Sequence, residues 1–456
     1  MARHKYDYDL IVIGSGAGGS VAADIVASSG KRVALIESDT LGGEAANWGD
    51  VPTKALLQAA NVYDTAKNGA PFGIRSAAVG YNYPSVKAWK DLAFRRTGVA
   101  SSDRYYQSRG IGVYRGAAHF ISPHEISVNR RHLSAENFLI ATGSHWIMPD
   151  IEGLDKVPHL TARTALDLVR PPKSLFIIGG GAVGSEFAEL FSTFGTKVYI
   201  ADMTPRLLPK EDEEVSELIE ERFHTTRGMT VLTKTKVLKV AKDGIMTRVT
   251  YVRGDEQYSV KVDHVMVAAG KMPTVDIGLE NAGVEYTPKG IAVNDHLQTS
   301  APHIYAAGDV TGANMYTHVG VYESRVVAHN LTNRNKLVPD YRAVPHVTFT
   351  TPEIASVGLN AADCLKRDLT VKTAIAPLNI IGRANIANQK DGFVKVITDR
   401  KGVLIGATIV SPHAGEMIHE LGLAIHHELT AYDIASTLHA FPSWSEAIRV
   451  ACSKIK

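Results

Sequence analysis

Apolar residues gather in short runs that stop abruptly at glycine. The first, Tyr8 to Ile13, breaks into Gly14-Ser15-Gly16-Ala17-Gly18-Gly19 and gives way to an Ala- and Val-rich stretch, Ser20 to Ser29, at helical spacing. A second apolar run, Arg32 to Ile36, ends in Glu37. Strand, tight turn, helix and strand in that order make a βαβ unit. The pattern recurs. Ser174 to Ile178 leads into Gly179-Gly180-Gly181-Ala182-Val183-Gly184, a helical segment runs from Glu186 to Phe194, and the run Lys197 to Ala201 is closed by Asp202.

The spacing has a chemical reason. Glycines let the backbone approach a pyrophosphate, the helix N-terminus favours its negative charge, and an acid at the end of the next strand accepts hydrogen bonds from ribose hydroxyls. Each copy carries all three features, so two dinucleotide-binding folds are predicted. Phe138 to Ser144, Val265 to Gly270 and Ile304 to Val310 read as further buried strands that meet turns. Past about residue 340 the texture changes. Val347 to Phe349, Phe393 to Ile397 and Leu404 to Val410 predict antiparallel strands, and Gly415 to His427 and Ala431 to Leu438 predict helices. This third region has no phosphate-binding glycine loop.

A chain of 456 residues has length for about three domains. Lys plus Arg total 49 against 47 Asp plus Glu, a balance that argues against a nucleic-acid partner. The apolar stretch Leu10 to Ile13 is too short for a secretion signal, and no run of 18 apolar residues predicts a membrane span. Two cysteines, Cys364 and Cys452, make no disulfide framework and suit a reducing cytoplasm.

Taken in order, these residues resemble the flavoprotein disulfide reductases of the dihydrolipoamide dehydrogenase, glutathione reductase and mercuric reductase type. The resemblance runs from Tyr8 to about Arg449. It rests on the first glycine loop with Glu37, on Gly42-Gly43 through Asn47, Pro52, Thr53 and Lys54, on Ala141-Thr142-Gly143, on the second glycine loop, on Gly308-Asp309, and on Thr350 to Gly358 with Pro442 to Glu446. It implies an α/β protein with two Rossmann-like domains and a C-terminal α+β dimerisation domain. The FAD domain would comprise residues 1–148 and 273–338, the NAD(P)H domain 149–272 and the dimer-interface domain 339–456, in a homodimer. Carried over, Gly14, Gly16 and Gly19 would hold the FAD pyrophosphate, Glu37 the adenosine ribose and Asp309 a ribitol hydroxyl. Ala118 would face the adenine, and Thr53, Thr142, Gly143 and Val310 would complete the FAD site. Gly179, Gly181, Gly184, Asp202 and Gly270 would serve NAD(P)H, with NADH favoured by Asp202. Lys54 would lie beside flavin N5 with Glu186 as its carboxylate partner.

The departures are as informative. The family carries two cysteines, separated by four residues, at a helix start; Ala45 and Asp50 occupy those positions here. The family's closing His-Pro is Phe441-Pro442, although Glu446 remains. The expected activity is therefore an FAD-dependent NAD(P)H:acceptor oxidoreductase that passes electrons from flavin directly to a small acceptor such as a quinone, with Lys54, Glu186, Asp50 and Glu446 as the catalytic set. Trp48, Phe441 and Trp444 are candidates to wall a planar acceptor or to plug an obsolete pocket. A soluble pyridine nucleotide transhydrogenase and a flavin-binding protein with little turnover are the alternative readings. No metal site is expected.

Overall fold

The computed structural model describes residues 5–75, 78–97 and 102–456. They form two compact units. The first draws on Met1–Ala55, Ala88–Ile147 and Gly270–Asp340, and the second on Leu56–Lys87, Met148–Ala269 and Tyr341–Lys456.

The first unit is built on a sheet of seven strands. Tyr8–Ile13 lies at its centre, parallel to Val33–Glu37 on one side and to Arg131–Ile140 on the other. Leu10, Ile11, Val12, Val33, Ala34 and Leu35 are at most 1% exposed, the burial of a parallel sheet covered on both faces. The ten-residue strand Arg131–Ile140 changes partners along its length. Its first half pairs antiparallel with Glu125–Val128, while its second half pairs parallel with Tyr8–Ile13 and Ile304–Ala306. The helix Ala17–Ser28 buries Gly18, Gly19, Ala22, Ala23 and Val26, small residues that let the helix Thr317–Thr332 come close. A Cβ at Gly320 would lie 3.3 Å from the Gly18 nitrogen, and Ser324 Oγ accepts from the Ala22 amide at 2.8 Å.

The second unit contains three sheets. Thr230–Leu232, Lys197–Ala201, Ser174–Ile178 and His264–Val267 form a parallel sheet in that order. Thr235–Asp243, Met246–Arg253 and Glu256–Val262 form an antiparallel meander. The third sheet, of five antiparallel strands, runs Pro345–Thr348, Glu353–Gly358, Leu404–Ser411, Phe393–Thr398, Lys372–Pro377, with the helix Ala414–His426 packed on it. Val394, Val396, Ile409, Ile418 and Leu421 are fully buried in its core, each worth about 1.5–3 kcal/mol of burial.

Both glycine loops open into helices earlier than the apolar periodicity predicts. The helices run Ala17–Ser28 and Ala182–Thr193 rather than from Ser20 and Glu186. The first turn of a helix needs no side chain to pack, and its amides have no carbonyl four residues back, so glycines are accepted there. The predicted strands at Val265 and Ile304 are shorter than expected, ending at Val267 and Ala306 where the backbone turns.

Candidate active site

In the first unit, the loop after Tyr8–Ile13 is shaped by contacts that only glycine tolerates. A Cβ at Gly14 would lie 2.2 Å from the Ala141 carbonyl oxygen, and one at Gly19 would lie 2.0 Å from the oxygen of Gly14. Gly16 is the N-cap of the following helix and supplies no side-chain cap, which leaves first-turn amides for an anion. Glu37, 7% exposed, ends the next strand. Its Oε2 accepts from the Ser15 amide at 3.0 Å and from Ser15 Oγ at 2.5 Å, and its Oε1 accepts from the Asp39 amide at 2.8 Å. A glycine turn, an uncapped helix start and a carboxylate at the end of the second strand are what an adenosine diphosphate moiety requires, so these residues fit FAD.

Other residues assigned to FAD from the sequence lie in the same unit. Ala118 is buried at the start of the strand Ala118–Ser122. Thr142 Oγ1 donates to the Thr274 carbonyl at 2.6 Å, and the Gly143 carbonyl accepts from the Thr274 amide at 2.9 Å. Asp309 accepts from Ser144 Oγ at 2.5 Å, and Val310 beside it is fully buried. Gly270, assigned to NAD(P)H from the sequence, also lies in this unit; at φ 103° its carbonyl accepts from the Ile147 amide. Thr53 Oγ1 donates to the Gly49 carbonyl at 2.6 Å, which ties down the start of the helix Asp50–Lys67. Lys54 is half-buried on that helix.

Asp50 is the first residue of that helix and is exposed. Its Oδ2 accepts from Thr317 Oγ1 at 2.6 Å, a partner 267 residues away that no local spacing reveals. A second tie is equally hidden in the sequence. Trp146 Nε1 donates to Glu44 Oε1 at 3.2 Å while the Lys271 ammonium stands 4.7 Å from the indole centre. The short helix Gly43–Asn47, which carries Ala45, is thereby joined to the two-stranded antiparallel sheet of Ser144–Trp146 and Lys271–Pro273.

The second glycine loop, in the second unit, repeats the logic of the first. A Cβ at Gly179 would lie 2.3 Å from the Ala268 oxygen, one at Gly184 would lie 1.9 Å from the Gly179 oxygen, and Gly181 faces open space at an uncapped helix start. Asp202 Oδ2 accepts from the Gly180 amide at 2.7 Å, and Oδ1 accepts from Thr204. Arg206, close to Asp202 in sequence, donates to the Glu211 carbonyl at 3.2 Å. These residues fit a pyridine nucleotide. Glu186, 5% exposed on the helix Ala182–Thr193, accepts from the Phe349 amide at 3.0 Å.

Of the closing segment, Phe441 is 78% exposed, whereas Trp444 belongs to the core and tilts against His413. Glu446 Oε2 is buried without a hydrogen-bond partner among the described residues. His439 lies between the Thr437 carbonyl and Glu420 Oε1, 2.9 Å from each. Cys364 and Cys452 are both free and 2% exposed. Burial pushes both thiols up, Cys452 to about 12.

No helix among the described residues is long and apolar enough to cross a membrane. Residues 8–330 match the model of the pyridine nucleotide-disulphide oxidoreductases, and residues 344–452 match that family's dimerisation domain, which supports a homodimer. A mercuric reductase from Staphylococcus aureus is 34% identical over 449 residues, 98% of this chain and 82% of the relative. A dihydrolipoyl dehydrogenase from Geobacillus stearothermophilus is 34% identical over 448 residues, 96% of this chain and 94% of the relative. Among solved structures, the HOCl-induced flavoprotein disulfide reductase RclA from Escherichia coli superimposes with a TM-score of 0.86 at 27% identity, covering 98% of this chain and 100% of that one. With two glycine loops, their closing acids and a dimerisation domain in the family's order, the chain belongs to the pyridine nucleotide-disulphide oxidoreductases, enzymes that use FAD and a pyridine nucleotide.

Proposed function

We propose that this chain is an FAD-dependent NAD(P)H:acceptor oxidoreductase that delivers electrons from flavin directly to a small acceptor such as a quinone, with no cysteine relay and with NADH as the favoured donor. One observation carries the reading: the two positions that the resemblance assigns to the family's cysteines hold Ala45 and Asp50, and the only two thiols in the chain are buried and held in the neutral form by burial. A buried neutral thiol is neither a nucleophile nor an electron carrier.

Bound FAD supplies the two-electron chemistry, accepting hydride at N5 and returning the electrons to an oxidant. The chain's residues bind and orient. Gly14, Gly16 and Gly19 present backbone to the pyrophosphate, Glu37 takes the adenosine ribose, Ala118 faces the adenine and Asp309 takes a ribitol hydroxyl. Thr53, Thr142, Gly143 and Val310 complete that site. Gly179, Gly181, Gly184 and Gly270 serve the nicotinamide nucleotide. Asp202 accepts from the ribose 2′-hydroxyl of NADH and repels the added phosphate of NADPH. Lys54 holds a positive charge where negative charge builds at N5, and Glu186 belongs to the same proposed catalytic set. Asp50 passes a proton to the acceptor oxygen; Glu446 is the carboxylate retained from the family's closing motif.

Anaerobic rapid mixing tests the reading. NADH is expected to bleach the flavin without a long-wavelength thiolate band, and a quinone to restore it within the turnover time. Dihydrolipoamide, glutathione disulfide and mercuric ion are expected to be poor substrates. A thiolate band that vanishes in Cys452→Ser, or reoxidation by NADP+ analogues but not by quinone, would overturn it, the second outcome in favour of transhydrogenation.

A further inference from the structure

Among the described residues the Asp50 carboxylate has a single side-chain partner. Thr317 Oγ1 donates to its Oδ2 at 2.6 Å, and Oδ1 has no partner among the described residues. The donor is placed with little freedom. Thr317 is the first residue of the 16-residue helix Thr317–Thr332, whose N-cap, Tyr316, provides no side-chain cap. A threonine there ordinarily turns its hydroxyl to nearby backbone; here its one proton goes to Asp50 instead. A β-branched side chain is stiff at χ1, so the hydroxyl is a fixed point rather than a mobile one. Asp50 is itself the first residue of an 18-residue helix, so both ends of the hydrogen bond are anchored in long helices.

We infer that Thr317 is a positioning residue: by pinning Oδ2 it fixes the plane of the Asp50 carboxyl and leaves Oδ1 to pass a proton to the acceptor. The inference rests on the proposed role of Asp50 in quinone reduction. In the overall reaction NADH would lose a hydride, the quinone would gain that hydride equivalent together with a proton passed on by Oδ1, and NAD+ and hydroquinone would leave. Asp50 is exposed, so the proton it passes on is drawn from water. Fixing a proton donor within reach of the atom it serves is the contribution asked of Thr317, and general acids held in this way are worth about 100-fold or more.

The experiment uses the FAD-loaded full chain and menadione as the probe, with single-turnover reoxidation and the midpoint potential of the bound flavin as readouts. Asp50→Asn is expected to slow reoxidation about 100-fold and Thr317→Val about 10-fold, both with flavin reduction by NADH within twofold of wild type. Thr317→Ser keeps the hydroxyl and is expected to stay within about twofold. In the Asp50→Asn background Thr317→Val should add no further loss, and it should shift the midpoint potential only when Asp50 is present. If Asp50→Asn is slow while Thr317→Val matches wild type, the positioning role fails and the role of Asp50 stands. Serine as slow as valine, or losses that add in the double variant, would also overturn the positioning role. An Asp50→Asn enzyme with normal reoxidation would remove the reading on which it rests.

Discussion

Glu189 Oε1 accepts from Arg227 Nη2 at 2.6 Å, with the carboxylate side chain 2% and the guanidinium side chain 7% exposed. Arg227 also reaches Asp64 Oδ1 at 2.8 Å, so one cation serves two acids from two helices, Ala182–Thr193 and Asp50–Lys67. Removing the cation strands both carboxylates, and Glu189 has no route to water. Arg227→Met is expected to destabilise the protein by about 3–5 kcal/mol, the usual result of breaking a buried pair from one side. Urea unfolding at pH 7 checks it; a loss under about 1 kcal/mol would mean that the pair is neutral.

A second buried pair sets the acid limit. Burial opposes ionisation of Glu211, but hydrogen bonds from His346 at 2.8 Å and Ser356 at 2.7 Å outweigh it and hold the carboxyl below its ordinary value of 4.5. A carboxyl lowered in the folded state contributes stability above its unfolded pKa and loses it as pH falls through the folded value. Stability is therefore expected to drop from about pH 5 downward. Glu211→Gln should cost about 1–3 kcal/mol at pH 7 and flatten that acid slope, as read from denaturant midpoints across pH 3 to 7. An unchanged slope would assign the acid sensitivity to other carboxylates.

Cofactor choice is expected to turn on Asp202. Asp202→Asn removes the charge proposed to repel a 2′-phosphate while its one amide oxygen can still accept from either Gly180 or Thr204, which now donate to different carboxylate oxygens. The ratio of kcat/KM for NADH over NADPH should fall by about tenfold, equivalent to about 1.4 kcal/mol. Steady-state kinetics with both donors measure it, and a ratio that does not move would place donor selection elsewhere.

Thiol chemistry gives a direct count. At pH 8 neither Cys364 nor Cys452 should react with a disulfide reagent in the native protein, since both are buried and both thiols are raised. Two should react per chain once guanidinium unfolds it. A rapidly titrating thiol in the native enzyme would reopen the question of a relay.

The βαβ units were legible because period and punctuation coincide: apolar runs, glycine turns and closing acids sit within about 30 residues of one another. Phe393–Thr398 and Leu404–Ser411 were legible for the same local reason. The meander from Thr235 to Val262 was not, since its outer strand Glu256–Val262 is mostly exposed and carries little apolar signal. The sites divide in the same way. Glu37 and Asp202 stand a fixed distance from their glycines, but Thr317 meets Asp50, and Lys271 meets Trp146, only through tertiary folding. Trp444 was read as a possible pocket wall because an aromatic near the closing proline looks the same in sequence whether it faces a ligand or the core; the structure buries it.

The glycine loops bear on how such a protein changes over time. At Gly14, Gly19, Gly179 and Gly184 a single added carbon would strike backbone at 1.9 to 2.3 Å, so almost any replacement there breaks the fold before it alters the chemistry. Asp50, by contrast, is an exposed side chain at a helix start, held among the described residues by one hydrogen bond from another side chain. Under the proposed function, variation is blocked where nucleotides would be gripped and open where electrons would depart, so a lineage of such chains can exchange one oxidant for another while the scaffold stays still.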